Sequence, residues 1–135
     1  MTTHFSPLLL LAAQPQVAPP TILDADSETY QSLLSCAAFH AIEADRVARD
    51  ANAAAAQKAI SRDFLDSATP FGPNHTAEAA EQELIAMVVV YRERLENGEP
   101  RAMAEQWTAL ELACRDLYPA RTGLVRDRKT SDGER

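Results

Sequence analysis

Apolar residues recur at helical spacing in three stretches of this chain, and the polar residues between them supply caps and breaks. The first pattern opens at Asp24-Ala25-Asp26-Ser27-Glu28. There Asp26 or Ser27 can accept from the orphan amides of a helix start, and Glu28 meets the positive end of its dipole. From Thr29 to Ser67 there is neither Gly nor Pro, so the pattern reads as one helix of about 39 residues, ~58 Å long. Between Tyr30 and Ile42 the apolar positions Leu33, Leu34, Cys36, Ala37, Ala38, Phe39 and Ala41 cover most of the circumference, which predicts neighbours on several sides. Residues 51–59 are Ala-rich and permit close helix approach.

Thr69-Pro70-Phe71-Gly72-Pro73-Asn74-His75 breaks the helix, and Asn74 or Thr76 caps the next one. That second helix runs to about Glu96 on the stripe Ala77, Ala80, Leu84, Met87, Val88, Tyr91 and Leu95, with its acidic residues on a solvated face. Gly98 suits a left-handed cap and Pro100 a first helical position. The third helix presents Met103, Trp107, Leu110, Cys114 and Leu117 on one face, making Trp107 a core anchor between helices three and two. The fold class is all-α: a small bundle of three main helices, four if the first is broken. The domain occupies residues 24–119. Residues 1–23 form a leader, and residues 120–135, with Leu124 and Val125 as their only large apolar side chains, read as a disordered polar tail.

Composition supports helix: 46% of residues are hydrophobic, Ala is frequent and Gly numbers 4. A chain of 135 residues can bury one core without a metal or crosslink. The net charge of −7, with bases interspersed among acids, argues against nucleic acid as a partner. No stretch approaches the ~20 apolar residues that cross a bilayer as a helix. In the leader, the run Leu8-Leu9-Leu10-Leu11-Ala12-Ala13 precedes a Pro-rich segment, as in a secretory signal, but no basic residue other than His4 and the α-amine precedes it. Two readings therefore stand: a signal peptide, or a cytosolic leader whose leucines dock on the bundle.

Chemistry-bearing residues are few. His40 and Glu43 share a helical face at i, i+3 and could ligate a metal, but a site needs three or four ligands and none joins them. Cys36, four residues from His40, forms with it the one conceivable nucleophile and base pair, without an orienting acid or oxyanion site. The acidic start of the first helix has Thr29 where a calcium loop needs Gly and Ser35 where it needs Glu, so capping explains it better. Asn74-His75-Thr76 matches a glycosylation acceptor, relevant only in a eukaryotic secretory setting. No catalytic residue, cofactor or metal site is assigned.

Cys36-Ala37-Ala38-Phe39 inside the first helix, with Trp107 followed by Cys114-Arg115-Asp116-Leu117-Tyr118-Pro119, resembles the layout of small exported, two-cysteine helical proteins of proteobacteria with no established function. The likeness covers residues 30–121 in layout only, and the missing basic start departs from it. It implies export to the periplasm or beyond and a Cys36–Cys114 bond, with no activity to carry over. A straight first helix beside a hairpin of the other two would hold these cysteines ~30 Å apart, too far to bond. A break near Asp50-Ala51-Asn52, or a different turn at Gly98-Glu99-Pro100, would bring them together, and the all-round apolar start of helix one favours such a rearrangement. Three functions follow as expectations: a structural or protein-interaction role without catalysis, a metal-binding or thiol-dependent enzyme built on His40, Glu43 and Cys36, or a cytoplasmic adaptor offering its long helix to an unidentified protein partner.

Overall fold

The computed structural model describes residues 25–133, and among these every regular element is helical: α1 (Ala25–Arg46), α2 (Ala51–Ala68), a 3₁₀ turn (Thr69–Phe71), α3 (Ala77–Asn97) and α4 (Pro100–Gly133). The leader lies outside the described residues. The single long first helix is replaced by two. Residues 47–50 turn through Ala48 N–H to Asp45 O and Asp50 N–H to Val47 O. Asp50 is extended there, and its carboxylate accepts from the amides of Asn52 and Ala53, both at 3.1 Å. Neither Gly nor Pro marks the break because a capping Asp is sufficient: its side chain satisfies amides that would otherwise continue the helical ladder.

Cross-helix pairs establish the topology. Ser61 Oγ donates to Ala37 O at 2.7 Å and His40 meets Gln57, so α2 runs antiparallel to α1. Tyr30 pairs with Glu83 and Ser35 with Tyr91, so α3 runs parallel to α1. Glu43 meets Trp107, Cys36 meets Cys114 and Asp26 meets Arg128, so α4 returns antiparallel. The bundle is up-down-up-down with α1 touched by the other three helices. That explains the all-round apolar character of α1: Tyr30, Leu33, Leu34, Cys36, Ala37, Ala38, Phe39 and Ile42 are all buried.

Two loops are set by close approach. A Cβ on Gly72 would lie 2.7 Å from Tyr30 Cε1, so the loop passes against the Tyr30 ring only with glycine there. Gly98 was expected to take a left-handed cap, but its φ is −78° and ψ 170°. Its need is space instead, since a Cβ would meet Arg94 O and the Met103 side chain at 2.7 Å. Thr76 caps α3 through Ala79 N–H, and the Glu99 carboxylate accepts from Arg101 and Ala102 N–H ahead of α4.

Trp107 is buried, its ring centroid 4.7 Å from that of Phe39 on α1 and 6.3 Å from that of Tyr91 on α3. It therefore joins three helices. The expected disordered tail is corrected: α4 continues through Pro119 to Gly133. Loss of one N–H at Pro119 is offset by anchors on both sides of it. Tyr118 Oη donates to Asp63 at 2.6 Å, Arg121 lies 3.6 Å from the same carboxylate and 4.3 Å over the Tyr118 ring, and Leu124 and Val125 pack on the core. Arg128 then reaches Asp26 at 2.9 Å.

Candidate functional site

Beneath the surface, Cys36 and Cys114 are joined as a disulfide with Cα atoms 5.4 Å apart, both fully buried. The break at Asp50 makes this geometry available, because it shortens α1 so that α4 passes Cys36 level with Cys114. With its sulfur bonded and unexposed, Cys36 offers no thiolate, so the thiol-enzyme expectation loses its nucleophile. The bond crosslinks the central helix to α4 and spans 78 residues of sequence, α2 and α3 included.

Above that bond lies a groove of about 380 Å³ walled by α1, α2 and α4. Its polar walls bring together His40, Glu43, Gln57, Glu111 and Arg115, and its apolar ones Phe39, Ile60, Leu112 and Tyr118. Both sequence-proposed ligands, His40 and Glu43, thus line one feature, and each has a hydrogen-bond partner there. His40 Nδ1 donates to Gln57 Oε1 at 2.6 Å, while its ring stacks on Phe64 at 5.7 Å and meets Phe39 edge-on at 5.0 Å. Glu43 Oε2 accepts from Trp107 Nε1 at 2.6 Å and from Arg46 at 3.2 Å. No group of three or more His, Cys, Asp and Glu among the described residues is placed to hold a metal. Both side chains engage buried aromatic rings, His40 those of Phe39 and Phe64 and Glu43 that of Trp107. A depression of about 450 Å³ along Thr122, Val125, Arg126, Lys129 and Thr130 is walled by α4 alone, and one helix cannot enclose a ligand.

Buried hydroxyls form a second polar set that sequence reading missed. Tyr91 Oη donates to Ser35 Oγ at 2.8 Å, and Ser35 Oγ donates to Met87 Sδ at 3.8 Å. Burial pushes the Tyr91 phenol up to about 12, against the smaller downward pulls of the Ser35 hydrogen bond and the Arg94 charge. Tyr30 is likewise raised, by burial first and then by its hydrogen bond to the Glu83 carboxylate and that group's charge. Both phenols stay neutral, as structural hydrogen-bond donors do.

The outer face of α3 carries three of the four exposed large apolar side chains among the described residues, the fourth being Leu112 on α4. Ile85 and Val89 are 60% and 61% exposed, Val90 38%, and Ala86 lies exposed beside them. The stretch Leu84-Ile85-Ala86-Met87-Val88-Val89-Val90-Tyr91 is apolar without interruption, more than one inward stripe needs. That surplus was legible in the chain and was overlooked because Leu84, Met87, Val88 and Tyr91 alone complete the inward face. No helix among the described residues is long and apolar enough to cross a membrane. No protein-family model, curated protein or solved structure matches this chain, and its function rests on its own residues.

Proposed function

We propose that this protein is an exported, disulfide-stapled helical scaffold that binds another protein and performs no catalysis of its own. The observation that carries the reading is the apolar row on α3, Ile85 and Val89, the two most exposed large apolar side chains among the described residues, with Val90 beside them and Leu112 exposed separately on α4. An apolar surface held out to water by a rigid helix is what an interaction site provides, and it costs solubility where nothing binds it. Export is supported by the Cys36–Cys114 bond, since such bonds persist in oxidising compartments. The Cys36 sulfur is held in the bond to Cys114 and the Glu43 carboxylate already accepts from Trp107 and Arg46, which favours this reading over an enzyme built on those groups.

One experiment tests both halves. A photo-crosslinking residue is placed at Val89, or as a control at the exposed Glu105 on α4, and the protein is irradiated in its native cell. A discrete adduct from position 89 and none from 105, with the recovered chain carrying no free thiol, is expected. No adduct at 89 removes the interaction role, and two free thiols return the protein to a reducing compartment.

A further inference from the structure

Granting that the outer face of α3 is an interaction site, its charges specify the partner. Ile85 and Val89 form one i, i+4 row and Ala86 and Val90 a second beside it, two turns of apolar surface in all. At 100° per residue, Glu78, Ile85, Val89, Glu93 and Glu96 fall within about 80° of arc, with Glu81 on the flank. The row is thus closed at both ends by exposed carboxylates: Glu78 and Glu81 toward the N-terminus, Glu93 and Glu96 toward the C-terminus. Positive charge does not neutralise this fence. Arg92, nearest the row, is paired with Asp45 of α1, and Arg94 lies about 180° around the helix from Ile85.

We infer that this face docks a cationic amphipathic helix, one with about two apolar turns in its middle and Lys or Arg in the turns at each end. Spacing sets its length. Glu81 to Glu93 spans ~18 Å along the axis and Glu78 to Glu96 ~27 Å, so the basic ends are separated by three to five helical turns. The apolar rows supply affinity, and the four carboxylates select against acidic partners and fix the register.

The same charges disfavour the other occupants. A second copy packed antiparallel on this face would set Glu78 against Glu96 and Glu81 against Glu93, on chains that each carry a net charge of −7. An anionic lipid surface would be repelled by the fence. Residues 1–24 contain no Lys or Arg, and their His4 and α-amine lie together at one end, so the carboxylates at the other end of the row would go unmet.

The test uses the purified, disulfide-bonded full chain and three synthetic 20-residue helices followed by fluorescence anisotropy. One has a Leu-rich centre and Lys ends, the second replaces Lys with Glu, and the third replaces the central Leu with Ser. The Lys-ended peptide should bind at least about tenfold more tightly than either comparator, and weaken when salt is raised from about 50 mM to about 500 mM. Its affinity should fall by about tenfold in Ile85→Ser/Val89→Ser and by a similar factor in Glu81→Gln/Glu93→Gln, with helical circular dichroism unchanged. The glutamine variant alters only exposed side chains and decides the matter alone if the serine variant misfolds. Equal binding of the Lys and Glu peptides, or unchanged binding by the glutamine variant, overturns the proposal. So does a concentration-dependent dimer abolished by Ile85→Ser/Val89→Ser, or displacement of the Lys peptide by a synthetic peptide of residues 1–24. A photo-adduct at Val89 with a partner lacking basic ends would refute this partner chemistry while leaving the interaction role standing, whereas no adduct refutes that role itself.

Discussion

The two halves of α4 are held by different forces. Residues 100–118 present Trp107, Leu110 and Cys114 to the core, with Trp107 against Phe39 and Tyr91 and Cys114 bonded to Cys36. Residues 119–133 contribute Leu124 and Val125 and otherwise hold on by charge, through Arg121 to Asp63 and Arg128 to Asp26. The arginine side chains are only 19% and 14% exposed, so their stems lie along the bundle while their heads reach carboxylates at its surface. The difference shows that one continuous helix can be apolar-driven over its first part and ionically fastened over its second.

Substitutions in the inner half of α4 carry the largest cost. Trp107→Ala should lower unfolding free energy by about 3–5 kcal/mol, read as a shifted urea midpoint, because it removes the ring between three helices and leaves Glu43 with Arg46 as its remaining donor. Equal midpoints would take Trp107 out of the core. Reducing the Cys36–Cys114 bond should cost about 4 kcal/mol in the chain-entropy account of a loop this long, so reduced and oxidised protein should melt at clearly different temperatures. Coincident melting curves would show that the native contacts, not the crosslink, set stability.

Alkali and salt sharpen the contrast further. The Tyr91 phenol ionises at its ordinary value of 10.0 in the unfolded chain but near 12 in the folded one. Its neutral, buried form therefore contributes fully below pH 10, and stability falls between pH 10 and 12, by roughly 3 kcal/mol from this group. Tyr91→Phe should flatten that fall in denaturant titrations; an unchanged slope would reject the assignment. Salt should act on the other half. Asp63→Ala removes acceptors from Tyr118 and Arg121 and should cost about 1–2 kcal/mol, discounted for the partial exposure of the carboxylate. Hydrogen exchange should report it as faster exchange in residues 119–133, with residues 100–118 little changed, and raised salt should mimic it in the parent. Uniform loss of protection along α4 would mean that the halves unfold together.

This division also marks what could be read from the chain. All-α architecture, the burial of Trp107, Tyr91 and Cys114 and the breaks at Thr69–Phe71 and Gly98 follow from apolar period and loop chemistry, which are local. The continuation of α4 past Pro119 depends on Asp63 and Asp26, far away in sequence, and a charge pattern does not announce its distant partner. The break at Asp50 is a candidate because the cysteines must meet and the all-round apolar start of the first helix needs covering; a lone Asp caps or decorates a helix with equal ease until its neighbours decide. His40 and Glu43 look like potential ligands in the sequence because residue type shows capacity, while Gln57 and Trp107, which engage them, come from other helices.

The disulfide also governs the order of events during maturation. Cys36 emerges first from any ribosome or export channel and has no partner until Cys114 follows, after the whole of α2 and α3. The bond can form only once those helices are outside. With 2 cysteines in the sequence, one intramolecular pairing exists, so there is no wrong isomer to undo. Oxidative folding then needs an electron acceptor but no reshuffling of mispaired bonds, and a chain left reduced would be separated from its native form by a single two-electron step.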